Sequence, residues 1–246
     1  MEFQLLSPYK FQVAGHACSL FSSVLIDPQT RLTIKAVAKE YCEKEALFYE
    51  NVSLACPNVR IPKYYGVFKE ILTDKKYIVI EDLLSDYQSP SIIDIKIGLR
   101  TYDDEACKEK REKMIRKSLS TTSRNLFFRI SGMKSYCNTN FNVSSETLSH
   151  GMKIFLPKDR TILATLIQKE LSERIFYPLE SQCEAELYSS SLLIFYDGSA
   201  ERIGCALVDF AHSKLTPGVA TQKEYVEGIK NVISLFKSLC DNKPDN

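Results

Sequence analysis

Residues Pro90 to Gly98 read "PSIIDIKIG" and place two charged side chains inside an otherwise apolar run. Four isoleucines surround Asp94 and Lys96, a composition typical of a buried β-strand. Because side chains alternate across a strand, Asp94 and Lys96 are predicted to point to the same face. Taken alone, the two residues are most simply interpreted as a salt bridge on an edge strand. Other parts of the sequence favour a functional interpretation.

The overall composition limits what such a site can bind. The chain has 246 residues, with 32 Lys and Arg against 31 Asp and Glu and a formal net charge of +1. This balance gives no overall attraction to nucleic acid or to a membrane, so an anionic ligand must meet a local cluster of cations. No apolar run approaches the length of a membrane span. We therefore expect a monomer without nucleic-acid binding or stable membrane insertion.

The cysteines give no sign of a metal or redox site. All eight are scattered, and no two have C-x-x-C spacing. Since the chain does not begin with a signal peptide, we interpret them as reduced thiols. A cytoplasmic protein is expected, with the nucleus as a second location.

The order of predicted elements divides the chain into two lobes. Two β-runs at 17–26 and 31–37, a helix over "AKEYCEKEALFYENV", a strand at 64–70 and the strand "KYIVIEDLL" predict an antiparallel sheet that carries one helix. After "SDYQSP" helical patterns dominate, as in "KDRTILATLIQKELSERIF" and the terminal "KEYVEGIKNVISLFKSLC". The prediction is an α+β fold with a small antiparallel-sheet N-lobe, 1–84, and a larger α/β C-lobe, 85–246. A ligand cleft is expected between them.

Charged residues at predicted strand ends suit a nucleotide site. Lys35 lies on the second predicted strand and Glu45 lies ten residues later on the helix. Kinase folds use such a strand lysine, paired with a helix glutamate, to bind the phosphates of ATP. Asp209 ends the strand in "LVDFAH" and could bind magnesium, although a capping or turn role is the simpler interpretation for this residue alone.

Other nucleotide and catalytic motifs are absent from the sequence. There is no G-x-x-x-x-G-K-[ST] loop, no G-x-G-x-x-G and no H-R-D-x-x-x-x-N catalytic loop. The chain has three histidines, His16, His150 and His212, which makes a histidine-rich metal site or a serine triad improbable.

Three motifs in register resemble the inositol polyphosphate kinases. The family motif P-x-x-x-D-x-K-x-G is matched by Pro90, Asp94, Lys96 and Gly98. The segments "SSLLIFYDG", 190–198, and "DFAH", 209–212, are similar to two further family motifs. The resemblance extends over nearly the whole chain. It implies a kinase-like fold of two lobes and ATP- and Mg²⁺-dependent phosphoryl transfer to an inositol phosphate.

The resemblance also implies which residues bind the nucleotide. Lys35 is expected to contact the ATP phosphates, oriented by Glu45. Backbone groups of Glu81, Asp82 and Leu83 are expected to bind adenine as the hinge between the lobes.

Further roles follow for the transfer step. Asp94 is expected to bind the ribose or to lie near the reacting hydroxyl, and Lys96 to reach the substrate phosphates and the transferring phosphoryl group. Asp209 is expected to hold the magnesium of the nucleotide, with Ser191 as a further candidate in the metal or phosphate shell. His212 is expected to face the inositol ring.

A basic segment after the first motif is the candidate acceptor site. Lys110, Lys113 and Lys117 share one helical face, flanked by Arg116 and Lys108. Glutamates form another stripe, so a solvated, salt-bridged helix is the simpler interpretation from composition. The family places its inositol-phosphate-binding helix here, and that position favours substrate binding, above all by Lys113 and Lys117. Lesser candidates are Arg100, Arg129 and Lys134.

The identity of the acceptor is less constrained. "STTSRNLFFRISGMKSY" and "YDG" are most similar to the inositol hexakisphosphate kinases, whereas "IGLRTYD" is more similar to the multikinases. We expect phosphorylation of inositol hexakisphosphate to a diphosphoinositol phosphate. The alternatives are multikinase or trisphosphate 3-kinase activity on free hydroxyls, a non-catalytic inositol-phosphate-binding scaffold, and, as a minor one, a lipid acceptor.

Overall fold

A computed structural model describes residues 1–15, 19–135, 138–141, 148–156, 160–198 and 202–241. Its first sheet is antiparallel and comes entirely from the N-terminal third of the chain. The spatial order of the strands is first, second, third, fifth, fourth. The strands are β1 (Glu2–Pro8), β2 (Leu20–Ile26), β3 (Thr33–Glu40), β4 (Tyr64–Lys69) and β5 (Lys76–Glu81).

A second antiparallel sheet of five strands follows. Its strands are β6 (Pro90–Ile97), β7 (Phe128–Ser135), β8 (Asn138–Phe141), β10 (Ser191–Asp197) and β11 (Ile203–Val208). Their order is β11-β10-β6-β7-β8, so β6 is the central strand. A short ladder joins β9 (Ala185–Glu186) to β12 (Lys214–Leu215).

Helices pack mainly on the second sheet and form the main core with it. They are α1 (Glu43–Ala55), α2 (Lys108–Leu119), α3 (Ser123–Leu126), α4 (Leu148–Phe155), α5 (Arg160–Leu171), α6 (Tyr177–Gln182) and α7 (Lys223–Asp241), with a π-helical turn at Ser172–Phe176. In α7, Tyr225, Ile229, Val232 and Phe236 recur at helical spacing and are fully buried. The predicted α+β class is confirmed. Among the residues that the structure describes, no helix is both long and apolar enough to cross a membrane.

The central strand explains the motif that opens the sequence analysis. Ile93, Ile95 and Ile97 are completely buried in the main core. Asp94 and Lys96 therefore lie on the opposite face of β6, where the strand is flanked by β10 and β7. An edge-strand salt bridge, the simpler interpretation of this pair, is excluded because β6 has a neighbour on each side.

A disulfide contradicts the expectation that the cysteines are reduced. Cys56 directly follows α1 and bonds to Cys183, which directly follows α6. The two residues are 127 positions apart in sequence, and their Cα atoms lie 4.1 Å apart. No local spacing could have indicated this pair, because only the fold brings the end of α1 to the segment before β9.

Candidate active site

Lys39 connects the two sheets through two carboxylates. Its Nζ lies 2.9 Å from Glu45 Oε1 and 2.8 Å from Asp209 Oδ1. Glu45 is buried in the first turn of α1, and its Oε1 also accepts a hydrogen bond of 3.2 Å from the backbone N–H of Phe210. Burial alone would lower the pKa of Lys39, but Asp209 and Glu45 raise it above its usual value. Lys39 is therefore a fixed positive charge between α1 and the end of β11.

The prediction for Lys35 is corrected by this arrangement. Lys35 lies on the same strand but is exposed, and it pairs with Val24 on β2. A strand advances about 3.3 Å per residue, so Lys35 lies about 13 Å from Lys39 along β3. Because β3 continues to residue 40, beyond its predicted end at 37, Lys39 is the lysine that reaches Glu45.

Asp209 follows β11 with an unusual backbone. Its φ is +67°, a left-handed conformation that is rare for residues other than glycine and is concentrated at functional sites. The side chain is 43% exposed, so the carboxylate is accessible from solvent. Burial would raise the pKa of Asp209, but Lys39 and Lys96 lower it to about 2. The carboxylate is therefore ionised at neutral pH and available to a cation.

Lys96 and Asp94 complete this group from β6. Lys96 Nζ lies 3.4 Å from Asp209 Oδ2 and donates a hydrogen bond to the carbonyl oxygen of Ser189. Burial raises the pKa of Asp94 to about 6, although Lys96 and a hydrogen bond from Ser191 oppose this shift. Within the described part of the chain, Asp94 Oδ1 is buried without a hydrogen-bond partner. Such a carboxylate is suited to accept a proton or a hydrogen bond from a ligand.

The strand β7 has a β-bulge beside Asp94. Gly132 stands opposite Asp94, and the register slips by one residue between Asp94 and Ile95. A Cβ atom on Gly132 would lie 1.9 Å from the carbonyl oxygen of Val13. Glycine at this position therefore allows the backbone of Val13 to pack directly against β7. Bulges of this kind are common next to active sites.

Arg129 adds a buried cation next to Lys96. It pairs with Lys96 across the ladder, is 8% exposed, and donates a hydrogen bond of 3.1 Å to Ser123 Oγ. Burial lowers the pKa of Arg129, an effect that Asp94 partly opposes. Arg129 is only a lesser candidate in the sequence analysis, because the pairing of β6 with β7 is not visible in the sequence.

Two lysines of α2 add positive charge next to Lys96 and Arg129. The pKa of Lys117 is lowered by burial and by the positive charges of Arg129, Lys96 and Lys113. Neither Lys113, Lys117 nor Arg129 forms an ion pair with any residue in the described ranges. These three residues are called the unpaired cations below.

The other predicted acceptor residues are exposed or have contacts of their own. Arg116 contacts Glu112 at 3.9 Å and is 73% exposed. It lies three residues after Lys113, so it stays next to the face of Lys113 and Lys117, and its substrate role stays a prediction. Arg100 pairs with Asp104, and Lys134 Nζ lies 5.6 Å from the ring centroid of Phe11. Lys110 is exposed on the first turns of α2.

His212 is held by a carboxylate at the side of a cavity. Its Nδ1 lies 2.6 Å from Asp103 Oδ2. Burial would raise the pKa of Asp103, but His212 and the charges of Lys44 and Lys110 lower it. The cavity of 760 Å³ lies between α1 and the segment 103–105. Its charged lining residues, apart from His212, are Lys44, Lys214, Asp103, Asp104, Glu105 and Glu184. Carboxylates outnumber lysines, so this cavity does not suit a polyanion.

The side chains of the predicted hinge residues already have partners within the protein. Glu81 accepts hydrogen bonds of 2.7 and 2.9 Å from Arg60, and Asp82 accepts one from the hydroxyl of Tyr9. Leu83 is partly buried against the apolar cluster around Ile92. Adenine binding by the backbone of these residues stays a prediction.

The comparison with known protein families assigns the chain to a family. Residues 77–237 match the family model described as inositol polyphosphate kinase, which is more than half of the chain. The chain belongs to the inositol polyphosphate kinase family. This result confirms the resemblance stated from the motifs and the prediction of a phosphotransferase of this family.

Individual relatives cover the chain to different extents. The chain is 26% identical over 275 residues to an inositol polyphosphate multikinase of Schizosaccharomyces pombe, covering 97% of this chain and 99% of that one. It is 33% identical over 137 residues to inositol hexakisphosphate kinase 2 of Homo sapiens, covering 50% of this chain and 32% of that one. A solved inositol phosphate multikinase from Saccharomyces cerevisiae, in complex with ADP and Mn²⁺, has a TM-score of 0.71 at 26% identity and covers 83% of this chain and 98% of that one. The kinase-like fold is confirmed.

Proposed function

We propose that this protein transfers the γ-phosphoryl group of ATP to a free hydroxyl of an inositol polyphosphate, as a multikinase does. The observation that carries the proposal is the meeting of Lys39, Asp94, Lys96 and Asp209 beside cations that have no carboxylate partner. Phosphoryl transfer needs positioned reactants and neutralised charge more than covalent chemistry, and this group of side chains supplies both.

The nucleotide is bound between the two sheets in this proposal. Lys39 contacts its phosphates while Glu45 keeps the ammonium in place. The two sheets support a division of the chain into an N-lobe, 1–84, and a C-lobe, 85–246, with the backbone around residue 82 as the hinge. The ADP bound to the related multikinase agrees with such a site.

The residue that would hold Mg²⁺ is Asp209, with the Ser191 hydroxyl nearby. Magnesium is commonly bound by one or two carboxylates together with substrate phosphates. These side chains therefore fit it, although no cluster of three or more metal-binding residues occurs in the portion described. The ion supplies charge neutralisation at the transferring phosphoryl group when it is bound.

Asp94 would accept the proton of the attacking hydroxyl. Its pKa of about 6 is close to neutral pH, the range in which a general base works best. Lys96, on the same face of β6, would stabilise the charge that develops on the phosphoryl oxygens. The acceptor phosphates would lie against Lys113, Lys117 and Arg129.

The hexakisphosphate activity expected from the sequence is the second candidate. It is favoured by the segment 120–136 and by the match to a hexakisphosphate kinase over half of this chain. The multikinase proposal is preferred because a multikinase aligns with 97% of the chain. Inositol hexakisphosphate has no free hydroxyl, so a phosphate oxygen would attack and a general base would matter less. A non-catalytic scaffold is disfavoured because all four charged residues of the site are present.

The test is transfer from radiolabelled ATP to inositol phosphates with three to six phosphates, with the products separated by charge. We expect labelled products from acceptors that carry a free hydroxyl and little from the hexakisphosphate. Asp209→Asn should abolish transfer, and Lys39→Ala should reduce it strongly. The matched control is Lys35→Ala, on the same strand, which should remain close to wild type. Label on the hexakisphosphate alone would favour the second candidate, and no label on any acceptor would contradict kinase activity.

A further inference from the structure

The turn between β4 and β5 exposes two neighbouring aliphatic side chains. Ile71 and Leu72 are each 93% exposed, the highest values among the large apolar residues described. The turn is a closed hairpin, since Glu70 N–H donates to Lys75 O at 2.8 Å and Asp74 N–H donates to Glu70 O at 3.0 Å. Two adjacent aliphatic side chains in water gain free energy when an apolar phase covers them.

Lysines surround the base of this hairpin apex. Lys69 and Lys76 pair across the ladder and Lys75 lies next to them, all three exposed. Two carboxylates are also present, but each has a local partner. Asp74 forms an ion pair with Lys69, and Glu70 accepts a hydrogen bond from the hydroxyl of Thr73.

An aromatic ring lies beside the lysines. Tyr41 is exposed, and the Lys76 Nζ lies 5.7 Å from the centroid of its ring. Val67 continues the exposed apolar surface along the edge strand β4. An aliphatic apex with ammonium groups and a tyrosine behind it matches the layers of a phospholipid surface, in which acyl chains lie below anionic headgroups.

The shape of the apex favours a lipid surface over a protein partner. A stable protein interface buries about 800 Å² on each side, far more than two side chains on a narrow convex turn can supply. Acyl chains can close around a protruding group without a complementary pocket. The apex therefore suits a deformable apolar phase.

We propose that the β4–β5 hairpin docks this protein reversibly on a phospholipid bilayer that contains anionic lipids. Ile71 and Leu72 insert below the headgroups, and the lysines contact lipid phosphates. Three lysines stand against two carboxylates between residues 69 and 76, a net charge of +1, so insertion of the aliphatic side chains dominates the binding. Lys39 pairs with Ile78 on β5, so the active-site end of β3 lies about 20 Å from the apex. Docking would therefore place the active site about that far from the inserted side chains.

The first test measures co-sedimentation of the full chain with vesicles of phosphatidylcholine, alone or mixed with phosphatidylserine. Wild type should bind, more tightly to the mixed vesicles. Ile71→Ser with Leu72→Ser should weaken partitioning about 100-fold or more, while transfer to a soluble acceptor is unchanged. The matched control is Leu32→Ser, an exposed leucine at the opposite end of the same sheet, which should bind like wild type. Absence of wild-type binding, or equal binding by the apex variant, would overturn the proposal.

The second test uses the absence of tryptophan from the sequence. Leu72→Trp introduces a single fluorophore at the apex. Vesicles should shift its emission to the blue, and brominated lipids should quench it, whereas Leu32→Trp should show neither effect. A blue shift that depends on protein concentration without vesicles would show that a second copy covers the apex, and would overturn lipid docking.

Discussion

Two groups of cations, joined by one loop, differ in whether they have carboxylate partners. The unpaired cations, Lys113, Lys117 and Arg129, lie on α2 and β7. The paired cations are defined as Lys44, Arg100 and Lys214. They contact Glu105 or Asp104, two carboxylates that line the 760 Å³ cavity. The segment 99–107 leads from one group to the other.

The pKa values of Lys117 and Arg129 are shifted in the opposite direction to those of the paired cations. Burial and neighbouring positive charges lower the pKa of Lys117, and burial lowers that of Arg129. Hydrogen bonds to carboxylates raise the pKa of Lys44 and Lys214. A polyanion relieves repulsion among the unpaired cations, whereas it must displace carboxylates from the paired ones. Cation content alone therefore does not distinguish the two groups, whereas their internal counterions do.

The largest expected effect comes from removing two unpaired cations. In Lys113→Ala with Lys117→Ala, kcat/KM for an inositol phosphate should fall about 1000-fold, mainly through KM, because each lost charge-assisted hydrogen bond costs about 1.5–3 kcal/mol. Steady-state kinetics and calorimetric titration with Mg²⁺ and ADP would separate acceptor binding from nucleotide binding, which should stay unchanged.

The control for that variant removes paired cations instead. Lys44→Ala with Lys214→Ala should change kcat/KM less than about threefold, because exposed ion pairs contribute little. Equal losses in the two double variants would contradict the distinction between the groups.

The disulfide lies beside the cavity of the paired cations, so its loss should change the stability of the protein and leave acceptor binding unchanged. Ala55 and Glu184, which adjoin Cys56 and Cys183, line the cavity of the paired cations. Replacing both cysteines by serine should lower the free energy of unfolding by about 2–5 kcal/mol, as expected for a bond that closes a long loop. Urea denaturation would measure this, with the exposed free Cys107→Ser as control. If the variant without the disulfide raised the KM for the acceptor as much as the loss of Lys113 and Lys117 does, the distinction between the two groups of cations would be contradicted.

Asp94 should make stability depend on pH. Its folded-state pKa of about 6 lies above the ordinary value of 3.8, so the folded protein holds the proton more tightly. The stabilising contribution is complete below about pH 4 and is lost as pH rises through about 6, a loss on the order of 1–3 kcal/mol. Asp209 stays ionised throughout this window because its pKa is about 2. Thermal unfolding from pH 4 to pH 8 should therefore show a steeper decline for wild type than for Asp94→Asn, and parallel curves would refute the shift.

The smallest effect is expected from freeing paired cations. Asp104→Asn removes the partner that Arg100 and Lys214 share. Because Asp104 is exposed, the melting temperature should fall by no more than about 3 °C. Affinity for an inositol phosphate should rise less than about threefold, and a larger rise would mean that this side also binds the acceptor.

Residues within one strand or motif could be predicted from the sequence, and long-range pairings could not. The alternation in "PSIIDIKIG" places Asp94 and Lys96 correctly on one face. The choice of Lys35 failed because the true end of β3, and so the lysine beside Glu45, depends on pairing with β5. The sequence does contain a signal for Lys39, since it lies six residues before Glu45 and closer to the helix start.

Contacts between distant elements account for the remaining differences. Arg129 joins the site through its ladder with β6, and the disulfide joins positions 127 residues apart. In α2, the sequence shows lysines and glutamates on neighbouring stripes but does not show which stripe faces other cations. That distinction arises only when Lys117 packs near Lys96 and Arg129.

The most direct test of the account is the reactivity of individual lysines toward an amine-selective reagent, read by mass spectrometry with and without an inositol phosphate. Because the pKa of Lys117 is lowered and that of Lys214 is raised, Lys117 should react faster than Lys214 in the free protein. Adding the inositol phosphate should protect Lys113 and Lys117 and leave Lys44 and Lys214 unchanged. Protection of Lys44 and Lys214, with Lys113 and Lys117 still reactive, would contradict it.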